Sequence, residues 1–247
     1  MKLGAQLYTV RDYTKTLDNF AQTLAKIAEI GYTTVQISNT CEYEPEWLAE
    51  QLKKNGLMCP ATHTNPNRIV KDSKTVVKEH RVYDCSIIGI GIAPTFDYPV
   101  FRSQFLPAAQ KIRDAGGLFG YHNHQHEFAK INGKTMLERI AEDFPSDALT
   151  FILDTYWIQF AGGNPVDWIR KFPGQVHCVH LKDMAIVKEE QQMAVIGEGN
   201  LNFDSIIKAC EESGTQYLMV EQDNCYGENP FDCLKRSYKY LKAKGLK

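Results

Sequence analysis

The sequence predicts an α/β fold, a (β/α)8 TIM barrel in one domain over residues 1–247, and three observations predict it. Eight short apolar runs recur along the chain, segments of helical period separate them, and charged residues close the last four runs. The runs begin near Leu3, Thr33, Met58, Ser86, Leu118, Leu149, Val176 and Tyr217. Six of the seven gaps between these starts measure 25 to 32 residues, and the last measures 41. Strands alternating with helices call for a parallel sheet, and eight such units allow it to close. A doubly wound open sheet is the competing arrangement. It carries a Gly-rich phosphate turn after its first strand, whereas LYTVRDYTKT holds no glycine.

The intervening segments bury one stripe each. Leu17, Phe20, Leu24 and Ile27 share a helical face, as do Phe203, Ile206, Ile207 and Cys210, and later Phe231, Leu234, Tyr238 and Leu241. Two helices open alike, with Asn164-Pro165-Val166-Asp167 and Asn229-Pro230-Phe231-Asp232. In each, Asn caps the free amides, Pro fills a position that needs no N–H, and Asp meets the positive helix end. The long last gap holds DMAIVKEEQQMAVIGEGN, in the seventh βα loop and on the face where barrels keep active sites. Lys188-Glu189-Glu190 reads as solvated loop, while Gly197-Glu198-Gly199 offers backbone amides to a substrate anion.

The totals narrow the partners. With 28 basic and 30 acidic residues the net charge is −2, which supplies no general attraction to nucleic acid or anionic lipid. A small molecule read by local geometry fits better. Seven cysteines (Cys41, Cys59, Cys85, Cys178, Cys210, Cys225, Cys233) form an odd set without CxxC spacing. Neither a disulfide framework nor a zinc ribbon follows, and a reducing cytoplasm is the expected location unless an export signal has been removed. No apolar run reaches 18 residues, so no membrane span is expected.

Barrel strands are buried on both faces, so a charged strand end needs a reason. The fifth run reads LFGYHNHQHE, the sixth TFILDTYW, the seventh VHCVHLKD and the eighth YLMVEQD. The two-residue alternation of a strand places Ile152 with Asp154, Cys178 with His180, and Met219 with Glu221. Gly120, His122 and His124 share a face of the fifth strand, with Glu127 just past its end. If these faces point inward, Glu127, Asp154, His180 and Glu221 converge at the top of the barrel. Three carboxylates together repel unless a cation sits among them. The set predicts one divalent metal, Mn2+ or Mg2+ first and Zn2+ or Co2+ next. His122 or His124 is the alternative first ligand, and the other becomes a substrate donor or proton carrier. His63, Lys182, Trp157 and Tyr8 are expected to line the substrate, Gln6 sits beside Tyr8, and His126 lies near the loop. His177 falls out of phase, and His80 reads as a helix-surface residue.

These residues together resemble the xylose isomerase-like TIM-barrel superfamily, in its sugar phosphate isomerase/epimerase branch. The matching pieces are Tyr121-His122-Asn123-His124-Gln125-His126-Glu127-Phe128, Leu153-Asp154-Thr155-Tyr156-Trp157, Val179-His180-Leu181-Lys182-Asp183, Gly197-Glu198-Gly199 and Val220-Glu221-Gln222-Asp223, in the family's order. Glu29-Ile30-Gly31-Tyr32 and the first strand extend the likeness over nearly the whole chain. The resemblance implies a Glu-Asp-His-Glu metal site on Glu127, Asp154, His180 and Glu221. Some relatives place a Glu earlier on strand five, where this chain has His122. In ketose 3-epimerases two metal-bound glutamates pass the proton, roles that would fall here on Glu221 and Glu127. Barrels of this group often pair, so a homodimer is expected.

The activity expected is metal-dependent isomerisation or epimerisation of a keto-sugar or sugar phosphate through an enediolate. A lyase is the runner-up: the same enolate expels a β-substituent from a 3-keto-glycoside or inosose, and the HNHxxEF form of strand five points that way. Abasic-site endonucleases share the fold but need several more histidines. Here Trp157 stands three residues after Asp154, and no histidine follows His180. A non-catalytic sugar-binding barrel would not need three carboxylates in one place.

Overall fold

Runs such as LTFILD and CVHL can be buried on both faces, which parallel strands in a barrel require. The computed structural model of the protein describes residues 1–246. Its strands are β1 (Lys2–Gln6), β2 (Thr34–Ile37), β3 (Met58–His63), β4 (Ile87–Ile90), β5 (Leu118–His122), β6 (Leu149–Asp154), β7 (Cys178–Leu181), β8 (Asp183–Val187), β9 (Glu190–Ala194) and β10 (Tyr217–Val220). The helices are α1 (Leu17–Ile30), α2 (Pro45–Lys54), α3 (Pro66–Lys71), α4 (Ser73–Arg81), α5 (Tyr98–Asp114), α6 (Met136–Asp143), α7 (Thr155–Phe160), α8 (Pro165–Lys171), α9 (Phe203–Glu212) and α10 (Pro230–Ala243). A closed parallel barrel runs β1-β10-β7-β6-β5-β4-β3-β2. The predicted strand starts fall within two residues of the observed ones. Among the described residues no helix is long and apolar enough to cross a membrane.

The long last gap is more ordered than a solvated loop. It forms an antiparallel hairpin, β8 with β9, in which Asp183 pairs with Ala194 and Val187 with Glu190. Lys188 and Glu189 take φ of 50° and 70° at its two-residue tip, the left-handed turn whose twist matches a hairpin. Asn164 and Asn229 cap α8 and α10 as the sequence predicts, accepting from Val166 N–H at 3.0 Å and Phe231 N–H at 2.9 Å.

Strand phase divides the interior into layers. Phe119, Tyr121, Phe151 and Leu153 point outward and pack with Phe20, Leu24, Phe101 and Phe105 in the core between barrel and helices. Ala61, Ile87, Ile152, Cys178 and Met219 form a separate apolar cluster inside the barrel. That layer is the apolar floor on which the polar strand ends stand.

His80 departs from its expected place on a helix surface. It is 5% exposed on α4, where Nδ1–H donates to the Val76 carbonyl at 2.7 Å and Nε2 lies 2.8 Å from the Thr62 hydroxyl. Its neighbours on that helix are apolar Val76 and Val77, so the ring completes the buried stripe. Burial pushes its pKa down to about 4. The folded protein therefore refuses a proton that the unfolded chain accepts near 6.5. The stabilisation is complete above that pH and is lost as pH falls toward 4, by about 3 kcal/mol. Urea unfolding at pH 7 and pH 4.5 should show His80→Gln losing less stability on acidification than the wild type. Equal losses would contradict this assignment.

Candidate metal centre

Each polar side chain at the mouth is fixed by where its strand ends. Asp154 closes β6 and caps α7, so Oδ1 accepts from Trp157 N–H at 3.0 Å and Oδ2 is left facing the barrel axis. Its own N–H donates to Asn123 Oδ1 at 3.0 Å, which ties the ends of β5 and β6 together. His122 closes β5, His180 lies within β7, and Glu221 follows β10. One ligand atom from each of His122, Asp154, His180 and Glu221 lies within 4.8 Å of the others, and all four residues are buried.

The far nitrogens decide what these imidazoles offer. His122 Nδ1 lies 2.9 Å from the Gly91 carbonyl, which can only accept, so the lone pair of Nε2 turns toward Asp154 Oδ2 at 3.4 Å. His180 Nε2 donates to Gln36 Oε1 at 2.6 Å, so Nδ1 turns its lone pair toward Glu221 Oε2 at 2.8 Å and Asp154 Oδ2 at 3.8 Å. His180 Nδ1 is buried without a hydrogen-bond partner, and Glu221 Oε2 is met only by the Lys182 ammonium, 3.0 Å away. Two acceptors that close repel each other unless a cation lies between them. The pattern, a ligand imidazole whose other N–H is taken by a carbonyl, is that of an oriented metal ligand.

Charge balance agrees. Lys182, 1% exposed, places Nζ 2.9 Å from Asp154 Oδ2, 3.0 Å from Glu221 Oε2 and 3.0 Å from Asp223 Oδ1. Three carboxylates and one ammonium leave two negative charges when the imidazoles are neutral, which one divalent ion cancels. Burial opposes the charged forms, yet the surrounding carboxylates hold the Lys182 pKa well above its ordinary value. Against the same burial, Lys182 and the neighbouring imidazoles keep Asp154 and Glu221 below theirs. Asp223 is pushed up to about 6 by burial and by the Glu221 charge.

Glu127, expected as first ligand, stands outside this cluster and has to be corrected. The 3-10 turn His126–Phe128 folds it back, so that Oε1 accepts from Tyr121 O–H at 2.9 Å and Oε2 from His124 N–H at 2.9 Å. Tyr121 points to the helix-facing core, and Glu127 follows it there. Burial raises its pKa. His122 occupies the position that the sequence assigned to Glu127 or to a strand-five histidine.

The remaining expected residues fall into two groups. His63, His124, Trp157 and Lys182 surround the cluster. The His63 ring lies tilted 5.0 Å from that of His122 and 5.5 Å from that of His180, and the His124 ring lies 4.8 Å from that of His122 and 5.2 Å from that of Trp157. Lys182 Nζ sits 5.5 Å over the Trp157 ring. Burial lowers the pKa of His63, and it takes His124 down to about 3, so both stay neutral. Tyr8 lies past the end of β1, half-buried in a 3-10 segment and stacked on Arg11 at 4.3 Å. His177 lies at the opposite end of the strands, bonded to Thr150 at 2.8 Å, and His126 is exposed beside Phe96.

Gly197-Glu198-Gly199 is not open to a substrate anion. Asp183 Oδ2 accepts from the amides of Gly197 (2.9 Å) and Gly199 (3.0 Å), and Oδ1 from Met184 (2.8 Å) and Leu201 (3.1 Å). The protein's own carboxylate fills that nest and clamps the segment after the hairpin. A Cβ on Gly199 would stand 2.4 Å from Asp183 Oδ1, which explains the glycine.

Sequence reasoning gave no role to Gln36 and quoted Asp223 only as part of a motif. Gln36 was open to the rule that found the others: in TVQI a buried amide stands in phase with Thr34, inside a run that has no need of one.

The chain is a closed parallel barrel, and the His-Asp-His-Glu cluster at its mouth could hold a metal ion. The model of the xylose isomerase-like TIM barrel matches residues 24–244, and the chain belongs to that family. Inosose dehydratase of Clostridium beijerinckii is 25% identical over 149 residues, 53% of this chain and 49% of that protein. The chain thus spans about half the length of that relative. Inosose dehydratase of Clostridium botulinum is 20% identical over 271 residues, covering 92% and 90% of the two chains. Among solved structures, a sugar phosphate isomerase/epimerase from Parabacteroides distasonis superposes with a TM-score of 0.83 at 23% identity, over 98% of this chain and 93% of that one.

Calorimetric titration of metal-free protein with Mn2+ should give one equivalent bound. Asp154→Asn should abolish this binding and Glu127→Gln should retain it. Loss in the Glu127 variant, at unchanged secondary structure, would return that residue to the ligand set.

Proposed function

We propose that the protein is a divalent-metal-dependent lyase that eliminates water or an alcohol from a keto-sugar or inosose, a small molecule, by way of an enediolate. The observation that carries this reading is the replacement of Glu127 by His122 in the cluster. Epimerisation of the ketose 3-epimerase kind exchanges a proton between two carboxylates on opposite faces of one carbon. Here the cluster holds two carboxylates, Asp154 and Glu221, and Asp154 is committed to capping α7. Elimination needs one base and one route for a proton to the leaving oxygen. The inosose dehydratase relatives support the same class.

The ion, when bound, would polarise a substrate carbonyl and stabilise the negative charge of the enediolate. Two imidazoles and two carboxylates suit Mn2+, Co2+ or Zn2+ better than Mg2+, which prefers an all-oxygen shell. His124 has a buried Nδ1 with no partner, a free lone pair that takes the proton α to the carbonyl. Lys182, held charged among Asp154, Glu221 and Asp223, offsets negative charge as it develops beside the cluster. The β C–O bond then breaks, and the proton held by His124 passes to the departing oxygen. Trp157 supplies an apolar wall beside both groups.

Isomerisation or epimerisation is the second reading, supported by the fold's likeness to a sugar phosphate isomerase/epimerase. Incubation of Mn2+-loaded protein with inososes, 3-keto-glycosides and ketoses in deuterated water separates the two. Loss of water or aglycone without an epimer is the expected result, and His124→Ala should lower the rate about 10²–10⁴-fold. Epimer formation without elimination would reverse the order of the readings.

A further inference from the structure

All four clustered ligands come from β5, β6, β7 and the end of β10, and the β1–β2 side of the mouth supplies none. What stands there instead is a pair of glutamines. Gln6 closes β1 and Gln36 lies in β2, and the two are register partners across adjacent strands. Their exposures are 1% and 0%, although nothing in a barrel interior favours two primary amides.

Each amide is committed to a different ligand, and in the opposite sense. Gln6 Oε1 accepts from Tyr8 N–H at 2.5 Å, which fixes the amide so that Nε2 donates to Glu221 Oε1 at 2.9 Å. That bond occupies one carboxylate oxygen and leaves Oε2 turned toward His180. Gln36 presents Oε1 to His180 Nε2 at 2.6 Å, and its Nε2 has no partner. The acceptor holds the imidazole proton on the far nitrogen and so keeps Nδ1 as a lone pair. Without it the ring is free to take the other tautomer, which aims an N–H at the cation.

We propose that Gln6 and Gln36 are a matched pair of positioning residues, one donating and one accepting, that aim Glu221 and His180 at a divalent cation. The pair acts through the ligands and touches neither ion nor substrate. It rests on the reading of the cluster as a divalent-metal site, and on no choice between lyase and epimerase.

Opposite polarity gives the test its discrimination, because the same substitution acts differently at the two positions. Mn2+ affinity is measured by calorimetric titration of the metal-free full chain, with circular dichroism and thermal melting to verify folding. Gln36→Glu keeps an acceptor on His180, so affinity is retained or raised. Gln6→Glu sets a second carboxylate against Glu221 Oε1 and weakens binding at least tenfold. Gln36→Met and Gln6→Met add no charge, serve if a glutamate variant does not fold, and each weaken Mn2+ about 10–100-fold. Equal effects of the two glutamates, or unchanged binding in both methionine variants, overturn the proposal. A wild-type chain that binds no Mn2+ fails earlier and refutes the metal reading itself.

Discussion

Three carboxylates, an ammonium and two imidazoles share a few ångströms at the mouth of this barrel, above an apolar floor of Ile87, Ile152, Cys178 and Met219. A buried ion without a partner costs several kcal/mol even after relaxation. The arrangement persists only because each group is held by several bonds and because Lys182 neutralises part of the charge. The remaining deficit is what suits the cluster to a cation. Other features of the mouth follow from it: the cap made by Asp154, the Gly91 carbonyl behind His122, and the amides behind His180 and Glu221.

Strand phase is the device that builds this environment without unfolding the core. Within β5, Phe119 and Tyr121 serve the helix layer while Gly120 and His122 serve the interior. Within β6, Phe151 and Leu153 do the first task and Ile152 and Asp154 the second. A one-residue slip would exchange Tyr121 for His122 in β5 and Leu153 for Asp154 in β6. The register is therefore under double selection, by packing outside and by charge inside.

An imidazole, that of His122, stands in the cluster where the sequence pointed to Glu127. An imidazole there brings no fixed negative charge to the cluster, and His124 and Lys182 stand beside it. Glu127 becomes structural instead, joining Tyr121 to the turn that presents His124. Asp183 plays a similar part on the other side of the mouth, ordering the segment that follows the hairpin.

The barrel, its strand starts, the helix caps and the inward facing of Asp154, His180 and Glu221 were legible in the sequence. Each of these depends on local periodicity, 2.0 for strands and 3.6 for helices, which a linear reading samples directly. Glu127, His80 and Gly197-Glu198-Gly199 were misread for a common reason. Each lies in a turn, or on a helix face, whose partner sits elsewhere in the chain: Tyr121 in the case of Glu127, Thr62 in that of His80, Asp183 in that of the glycines. Periodicity says which way a side chain leaves a regular element, and it is silent once the chain turns. Only the closed barrel, which brings β1 and β2 round to meet β7 and β10, decided that Gln36 faces His180 and that Gln6 faces Glu221. A hydrogen bond between residues 144 or 215 positions apart is a property of closure, and no local pattern encodes it.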